Sequence, residues 1–243
     1  MKKKLKLPNV TLLAATSSEM DEAQVSMRIS LQNIEFGAAK LLCTTAPKQK
    51  YPDIEYVSIP PLNSVDDYNE IIFQDLHKYF ETSHCLIVQS DSFVVNSNLW
   101  KEEFLEFDYI GAPWPNEIHY TPHPELTFGI SSPFVLHMKE NCVGNGGFSL
   151  RSHKLAETSA KINFNSLKFP LKSEDIIICH YLYKEMLNNG IRFAPPELAA
   201  QFSMENVNHL YGQDVNSVFG FHGKHLREYF LKKYILRQSI EEW

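Results

Sequence analysis

Between residues 10 and 88, short apolar runs alternate with stretches whose apolar residues recur at helical spacing, and few folds accommodate that rhythm. Residues 10–15 read as a strand. From about Ser18, Met20, Ala23, Met27, Leu31 and Ile34 stripe one face of a helix. Residues 40–44 and 54–59 are two further strands. Ser64 opens a capping box with Asp67, and Val65, Tyr68, Ile72 and Tyr79 line the helix behind it. Residues 84–88 are apolar and run into Gln89, Ser90 and Asp91, as a buried parallel strand does at its functional edge. The alternation predicts an α/β fold with a mainly parallel central sheet, whose ligands bind beyond the carboxyl ends of the strands.

The second half loses the rhythm. Residues 116–141 read as a long irregular loop, a length that inside a compact domain signals function. A strand resumes at 148–151. Ser173 caps a helix running to Gly190, with Ile178, Tyr181, Leu182 and Met186 facing inward. A basic helix starts at about Lys224. With no repeat or linker, 243 residues suit one core, and the expectation is a single domain over 1–243.

Composition closes off several functions. The chain carries 29 acids against 23 bases, a net charge of -6, which suits a divalent cation and disfavours nucleic acid. No run approaches the roughly 20 apolar residues of a membrane span. Lys2, Lys3 and Lys4 precede the first apolar run, but Pro8, Asn9 and Thr11 leave it short for a signal peptide, so it reads as a buried strand. Cys43, Cys85, Cys142 and Cys179 form no C-x-x-C pair and read as reduced thiols, which points to the cytoplasm.

Four segments carry candidate chemistry. Asp91, just past an apolar strand, offers oxygen ligands of the kind Mn²⁺ or Mg²⁺ takes, although a lone Asp there also caps a turn. Gly144, Gly146 and Gly147 let a ligand approach the backbone, or simply form a turn. Pro115 holds Trp114 extended, so that its face can stack on a sugar ring. Glu174 and Asp175 open a helix, where acids also complement the macrodipole without further purpose. His222 stands between Phe221 and Gly223.

In order, the segments QSDSF (89–93), GAPWP (111–115), GNGGFSLR (144–151), SEDIIIC (173–179), FAPPEL (193–198) and FGFHG (219–223) resemble an uncharacterised bacterial family of GT-A-type glycosyltransferases. The resemblance spans roughly 10–223 and is densest from Leu86 onward. It implies a GT-A-like, Rossmann-like domain that moves a sugar from a nucleotide-diphosphate donor to an acceptor hydroxyl on a glycan or lipid-linked glycan. Bacterial surface polysaccharide synthesis is the expected setting. Residues 9–110 would hold the nucleotide sugar, and 111–223 the acceptor and the catalytic groups. Gln89 and Asp91 take the two acidic places of the D-x-D segment, with Gln89 departing from the pattern. Asp91 and His222 are then the metal ligands, Asp175 the base of an inverting transfer and Glu174 its support. Thr16, Gln89, Ser90, Asp91, Gly146 and Gly147 fall to the donor, while Trp114, Asn145 and Phe148 fall to the acceptor. Trp114 and residues 116–141 would close over bound donor.

Two other readings compete. A metal hydrolase would use His119, His123 and Glu125, but Pro122 and Pro124 deny the helix that H-x-x-x-H needs. A non-catalytic nucleotide-sugar-binding module would keep Asp91 without needing Asp175. At about 100° per residue, Lys224, Arg227, Lys232, Lys233 and Arg237 spread around their helix, which reads as a solvated surface. Peripheral contact with the inner face of a membrane bearing a lipid-linked acceptor is the further expectation.

Overall fold

In the computed structural model, which describes residues 4–122, 127, 131–138, 140–206 and 211–241 (backbone only over 235–241), the alternation becomes two stacked layers around a sheet. The chain order begins β1 (Leu5–Thr16), α1 (Met20–Asn33), β2 (Ile34–Cys43), β3 (Glu55–Ser58), α2 (Val65–Glu70), β4 (His84–Val88) and β5 (Ser92–Val94). It continues with β6 (Tyr109–Ile110), β7 (Ala112–Pro113), β8 (Glu117–Tyr120), β9 (Phe134–His137), β10 (Val143–Gly144), β11 (Phe148–Ser152) and α3 (His153–Ser159). It ends with α4 (Glu174–Ile176), α5 (Tyr183–Asn188), α6 (Pro196–Phe202), β12 (Ser203–Met204), β13 (Gly220–His222) and α7 (Lys224–Glu241).

The main sheet has the order β3-β2-β1-β4-β11-β6. Its first four strands pair in parallel, but β11 runs antiparallel to both β4 and β6. The sheet is therefore mixed rather than mainly parallel. Side-chain pattern fixes burial and not direction: all five residues of β4 and of β11 are buried, and either orientation would bury them equally.

Local signals held well in the first half. The Ser64 hydroxyl accepts from the Asp67 N–H at 3.1 Å while Asp67 Oδ2 accepts from the Ser64 N–H at 3.0 Å, completing the capping box. Ile34 ends the helical stripe but belongs to β2, in extended backbone after α1 has stopped at Asn33. Ser173, expected to cap, makes no side-chain cap bond. The helix behind it widens into a π-turn over Ile177–Tyr181 before α5, and Gly190 closes it at φ 73°.

Residues 116–141 are not wholly irregular, for β8 and β9 pair in a hairpin from Glu117↔His137 to Tyr120↔Phe134. Alternation of exposed Glu117 and His119 with half-buried Ile118 and Tyr120 is the period-2 signal of a half-buried strand.

A small second sheet, β12-β13-β5, stands at the carboxyl end of β4. Phe93 of β5 and Phe221 of β13 meet edge-on with centroids 4.7 Å apart, a cross-strand aromatic pair of the kind that fixes register. Among the described residues, no helix is long and apolar enough to cross a membrane. Cys43, Cys85, Cys142 and Cys179 are free thiols, with Cys142 alone among them half-buried rather than buried.

Candidate active site

The second sheet decides what stands at the end of β4. Its register sets His222 opposite Ser92, and the Gly223 N–H donates to the Asp91 carbonyl at 3.2 Å. His222 Nε2 thereby lies 3.4 Å from Asp91 Oδ1 and 3.1 Å from Gln89 Oε1. Burial disfavours charge on this imidazole, but Asp91 and Glu205 outweigh that and raise its pKa to about 10. Burial likewise works against the Asp91 carboxylate, and His222 overcomes it, holding the group below its usual range.

A cavity of about 520 Å³ opens beside this cluster, beyond the carboxyl end of β1. Thr16, Ser18, Asn63, Tyr68, Gln89 and Ser90 are among its lining residues. The Thr16 hydroxyl accepts N–H bonds from Ser18 and Glu19, shaping the turn that forms one wall. Gln89 Nε2 donates to the Tyr68 hydroxyl at 2.7 Å, so the Gln89 amide spans from Tyr68 to His222. Burial and the Glu174 charge push the Tyr68 phenol up, keeping it neutral and able to donate. Asp91 itself lines a second cavity of about 350 Å³, with Glu19, Ser90, Lys224 and Arg227, so Ser90 borders both.

Across Gly146 and Gly147 lies the other carboxyl group. A Cβ on Gly147 would come within 2.3 Å of the His222 ring and 2.8 Å of Gln89 Oε1. A Cβ on Gly146 would come within 2.2 Å of Glu174 Oε1 and 3.3 Å of the Asp175 Cβ. Each glycine is thus required by a different cluster, and the two clusters are held one residue apart, about 3.8 Å between Cα atoms. The Gly146 N–H donates to Asp175 Oδ2 at 2.8 Å, and the Ile176 N–H donates to Asp175 Oδ1 at 2.8 Å. Burial, then the Glu174 charge, outweigh these bonds and push the Asp175 pKa up to about 6.

Beneath Asp175, Arg151 grips Glu174 with two hydrogen bonds, Nη1 to Oε2 at 2.7 Å and Nη2 to Oε1 at 2.8 Å. Arg151 is 1% exposed and Glu174 2% exposed. Arg151 also donates from Nε to Ser149 Oγ and sits 5.1 Å over the Tyr109 ring. Glu174 therefore faces the interior, where it braces the turn that carries Asp175.

The three residues expected to touch the acceptor are interior ones. Trp114 is 5% exposed, its ring packed where a Cβ on Gly144 would lie 2.0 Å away, and its Nε1–H donates to Glu205 Oε2 at 2.9 Å. Asn145 is 1% exposed at φ 70°, its Oδ1 accepting from the Gly147 N–H. Phe148 is fully buried against Gly220. A stacking face on Trp114 is accordingly corrected: the ring supports the glycine segment from behind. Half-buried Tyr120 on β8 stacks on Phe134, its phenol pushed up by burial, then by the charges of Asp175 and Glu205. Sequence reasoning did not single out Tyr120 or Glu205, and placed Tyr68 only on a helix stripe. His123 and Glu125 lie outside the described residues.

For a metal, the donors at hand are Asp91 Oδ1, Gln89 Oε1 and, once its proton is displaced, His222 Nε2. They fit Mn²⁺ or Mg²⁺ held through one or two protein groups with phosphate and water completing the shell. Among the described residues, there is no group of three or more His, Cys, Asp or Glu side chains that could hold a metal ion.

Fold and site define an α/β protein with a polar cleft at the carboxyl edge of its sheet, flanked by a carboxylate–histidine pair and by a carboxyl group of raised pKa. The chain belongs to the family described as Protein of unknown function (DUF5672), whose model matches residues 52–222. A comparison with curated proteins finds no match. Among solved structures, it is similar to a glycosyltransferase involved in the glycosylation of the major capsid of PBCV-1, at 16% identity over 88% of this chain and 92% of that one, with a TM-score of 0.42. It is also similar to the glycosyltransferase GlyE of Streptococcus pneumoniae TIGR4, at 10% identity over 99% of this chain and 64% of that one, TM-score 0.49. The bifunctional IspDF of Campylobacter jejuni matches 79% of this chain with 49% of its own, at 10% identity and TM-score 0.42. The chain thus spans less than two thirds of GlyE and about half of IspDF. At these identities and scores no activity carries over.

Proposed function

We propose that this protein is a metal-dependent glycosyltransferase that moves a sugar from a nucleotide-diphosphate donor to an acceptor hydroxyl with inversion. The observation that carries the reading is that Asp91 and His222 meet at 3.4 Å, with His222 against Gly147, while Asp175 stands against the neighbouring Gly146. The nucleoside occupies the cavity bounded by Thr16, Tyr68 and Ser90, and the diphosphate runs over Ser90 toward Asp91. A bound Mn²⁺ or Mg²⁺ supplies Lewis-acid neutralisation of the leaving diphosphate. Asp91 and His222 would hold that ion, and the Gln89 oxygen, 3.1 Å from His222 Nε2, would be within reach of it.

Asp175 takes the proton of the attacking hydroxyl. Each of its oxygens accepts one backbone N–H and keeps a second lone pair, and its pKa of about 6 suits a base working near neutrality. Arg151 balances Glu174, so that the turn carrying Asp175 does not hold two uncompensated charges. Tyr120 and the β8–β9 hairpin bound the acceptor side, where a closing segment would exclude water competing for the donor. The acceptor is a glycan or lipid-linked glycan, and the setting is the cytoplasmic face of a bacterial membrane where surface polysaccharide is assembled.

Thermal unfolding with a panel of nucleotide-diphosphate sugars and Mn²⁺ tests this. At about 100 times Kd a ligand adds about 2.7 kcal/mol, or roughly 5–10 °C for a chain of this size. A shift in Tm with one donor that vanishes in EDTA supports the reading. No shift with any donor contradicts it.

A further inference from the structure

Glu205 has no place in the reaction described so far, yet it joins two parts of the site. It follows β12, the strand that pairs in parallel with β13, and so arrives beside His222. Its Oε1 lies 3.4 Å from His222 Nδ1, and its Oε2 accepts the Trp114 Nε1–H at 2.9 Å. His222 Nδ1 is itself a buried atom with no hydrogen-bond partner. A distance of 3.4 Å is long for such a bond, and a buried polar nitrogen left unsatisfied is costly. The other ring nitrogen, Nε2, faces Asp91 and Gln89.

We infer that Glu205 is the positioning residue of His222: it accepts the Nδ1–H and holds the ring's orientation, so that Nε2, on giving up its own proton to an arriving cation, meets that cation beside Asp91. The inference rests on the metal reading of the site. A histidine ligand generally donates its far N–H to a carboxylate or carbonyl, which selects the tautomer and raises the basicity of the ligating nitrogen. Glu205 is built for this. Trp114 anchors one of its oxygens and, being packed against Gly144, is not free to move. The same carboxylate joins Trp114, packed against Gly144, to His222.

The test measures Mn²⁺ affinity by calorimetry in the full chain, for wild type, Glu205→Ala, His222→Ala and the double variant. It also observes the His222 Nδ1–H by ¹H–¹⁵N NMR in wild type and Glu205→Ala. Removing an outer partner of this kind costs about 10–100-fold in metal affinity, so Glu205→Ala should weaken Mn²⁺ by that factor while the thermal midpoint of the metal-free protein stays within a few degrees. In the His222→Ala background, Glu205→Ala should bring no further loss, since Glu205 acts through the ring. Wild-type affinity in Glu205→Ala, or an equal loss in both backgrounds, overturns the inference. Should wild type bind no Mn²⁺, the metal reading fails, and the NMR signal then decides for Glu205 alone. A protected Nδ1–H that disappears in Glu205→Ala upholds the positioning role, and its absence from wild type refutes it.

Discussion

The backbone N–H of Gly146 donates to Asp175 Oδ2 at 2.8 Å, tying the candidate base to the glycine segment that also makes room for His222. If Asp175 is the base, Asp175→Asn should lower kcat by roughly a hundredfold or more, within the 10²–10⁴ range such groups contribute, with donor binding unchanged. Steady-state transfer assays together with donor calorimetry separate this from a folding defect. A variant keeping wild-type kcat removes Asp175 from the chemistry.

The raised pKa of Asp175 makes a second expectation in pH. The base works deprotonated, so kcat should rise with pH through about 6 and level off above it. Stability runs the other way. A carboxyl group whose folded pKa stands above its unfolded value contributes stability that is fully present below about pH 4 and lost as pH rises through 6. Relative to Asp175→Asn, wild type should lose on the order of 1–2 kcal/mol between pH 4 and 7. Urea denaturation at several pH values reads the difference, and a flat difference contradicts the shift.

Arg151 and Glu174 form a buried pair, and buried pairs fail when halved. Arg151→Met leaves the Glu174 carboxylate uncompensated and should cost about 3–5 kcal/mol, while Arg151→Met with Glu174→Gln should recover a good part of that. Chemical denaturation of the two variants measures the coupling, and additive effects would mean that the pair does not act as one.

Much of the first half was legible because its signals are local. The strand His84–Val88 has the bounds its apolar run predicts, and Ser64 with Asp67 makes both bonds of its capping box. The meeting of Asp91 with His222 was expected from the resemblance, but the β5–β13 register that produces it is non-local and left no mark on either segment. The reversal of β11 was hidden for the same reason that its burial was visible. Trp114 was read as presented because Pro115 follows it. The ring instead fills the space that Gly144 leaves open, a contact between residues thirty apart. Glu205 has no motif around it, and only the structure sets it against two ring nitrogens.

The corrected place of Trp114 is itself testable. As a core residue, Trp114→Ala should cost about 3–5 kcal/mol. As a sugar platform it would leave stability near wild type and raise the acceptor KM. Thermal unfolding of Trp114→Ala and Trp114→Phe discriminates, and an unchanged midpoint in Trp114→Ala contradicts the buried role.

The most direct test of the account is the metal dependence of donor cleavage. Once a donor has been found by thermal shift, release of the nucleoside diphosphate is followed for wild type, Asp91→Asn and His222→Ala, with Mn²⁺ and with EDTA. The account predicts turnover with Mn²⁺ that EDTA abolishes and fresh Mn²⁺ restores, and a loss of about a hundredfold or more in each variant with its fold intact. Undiminished turnover in EDTA, or in either variant, would contradict it.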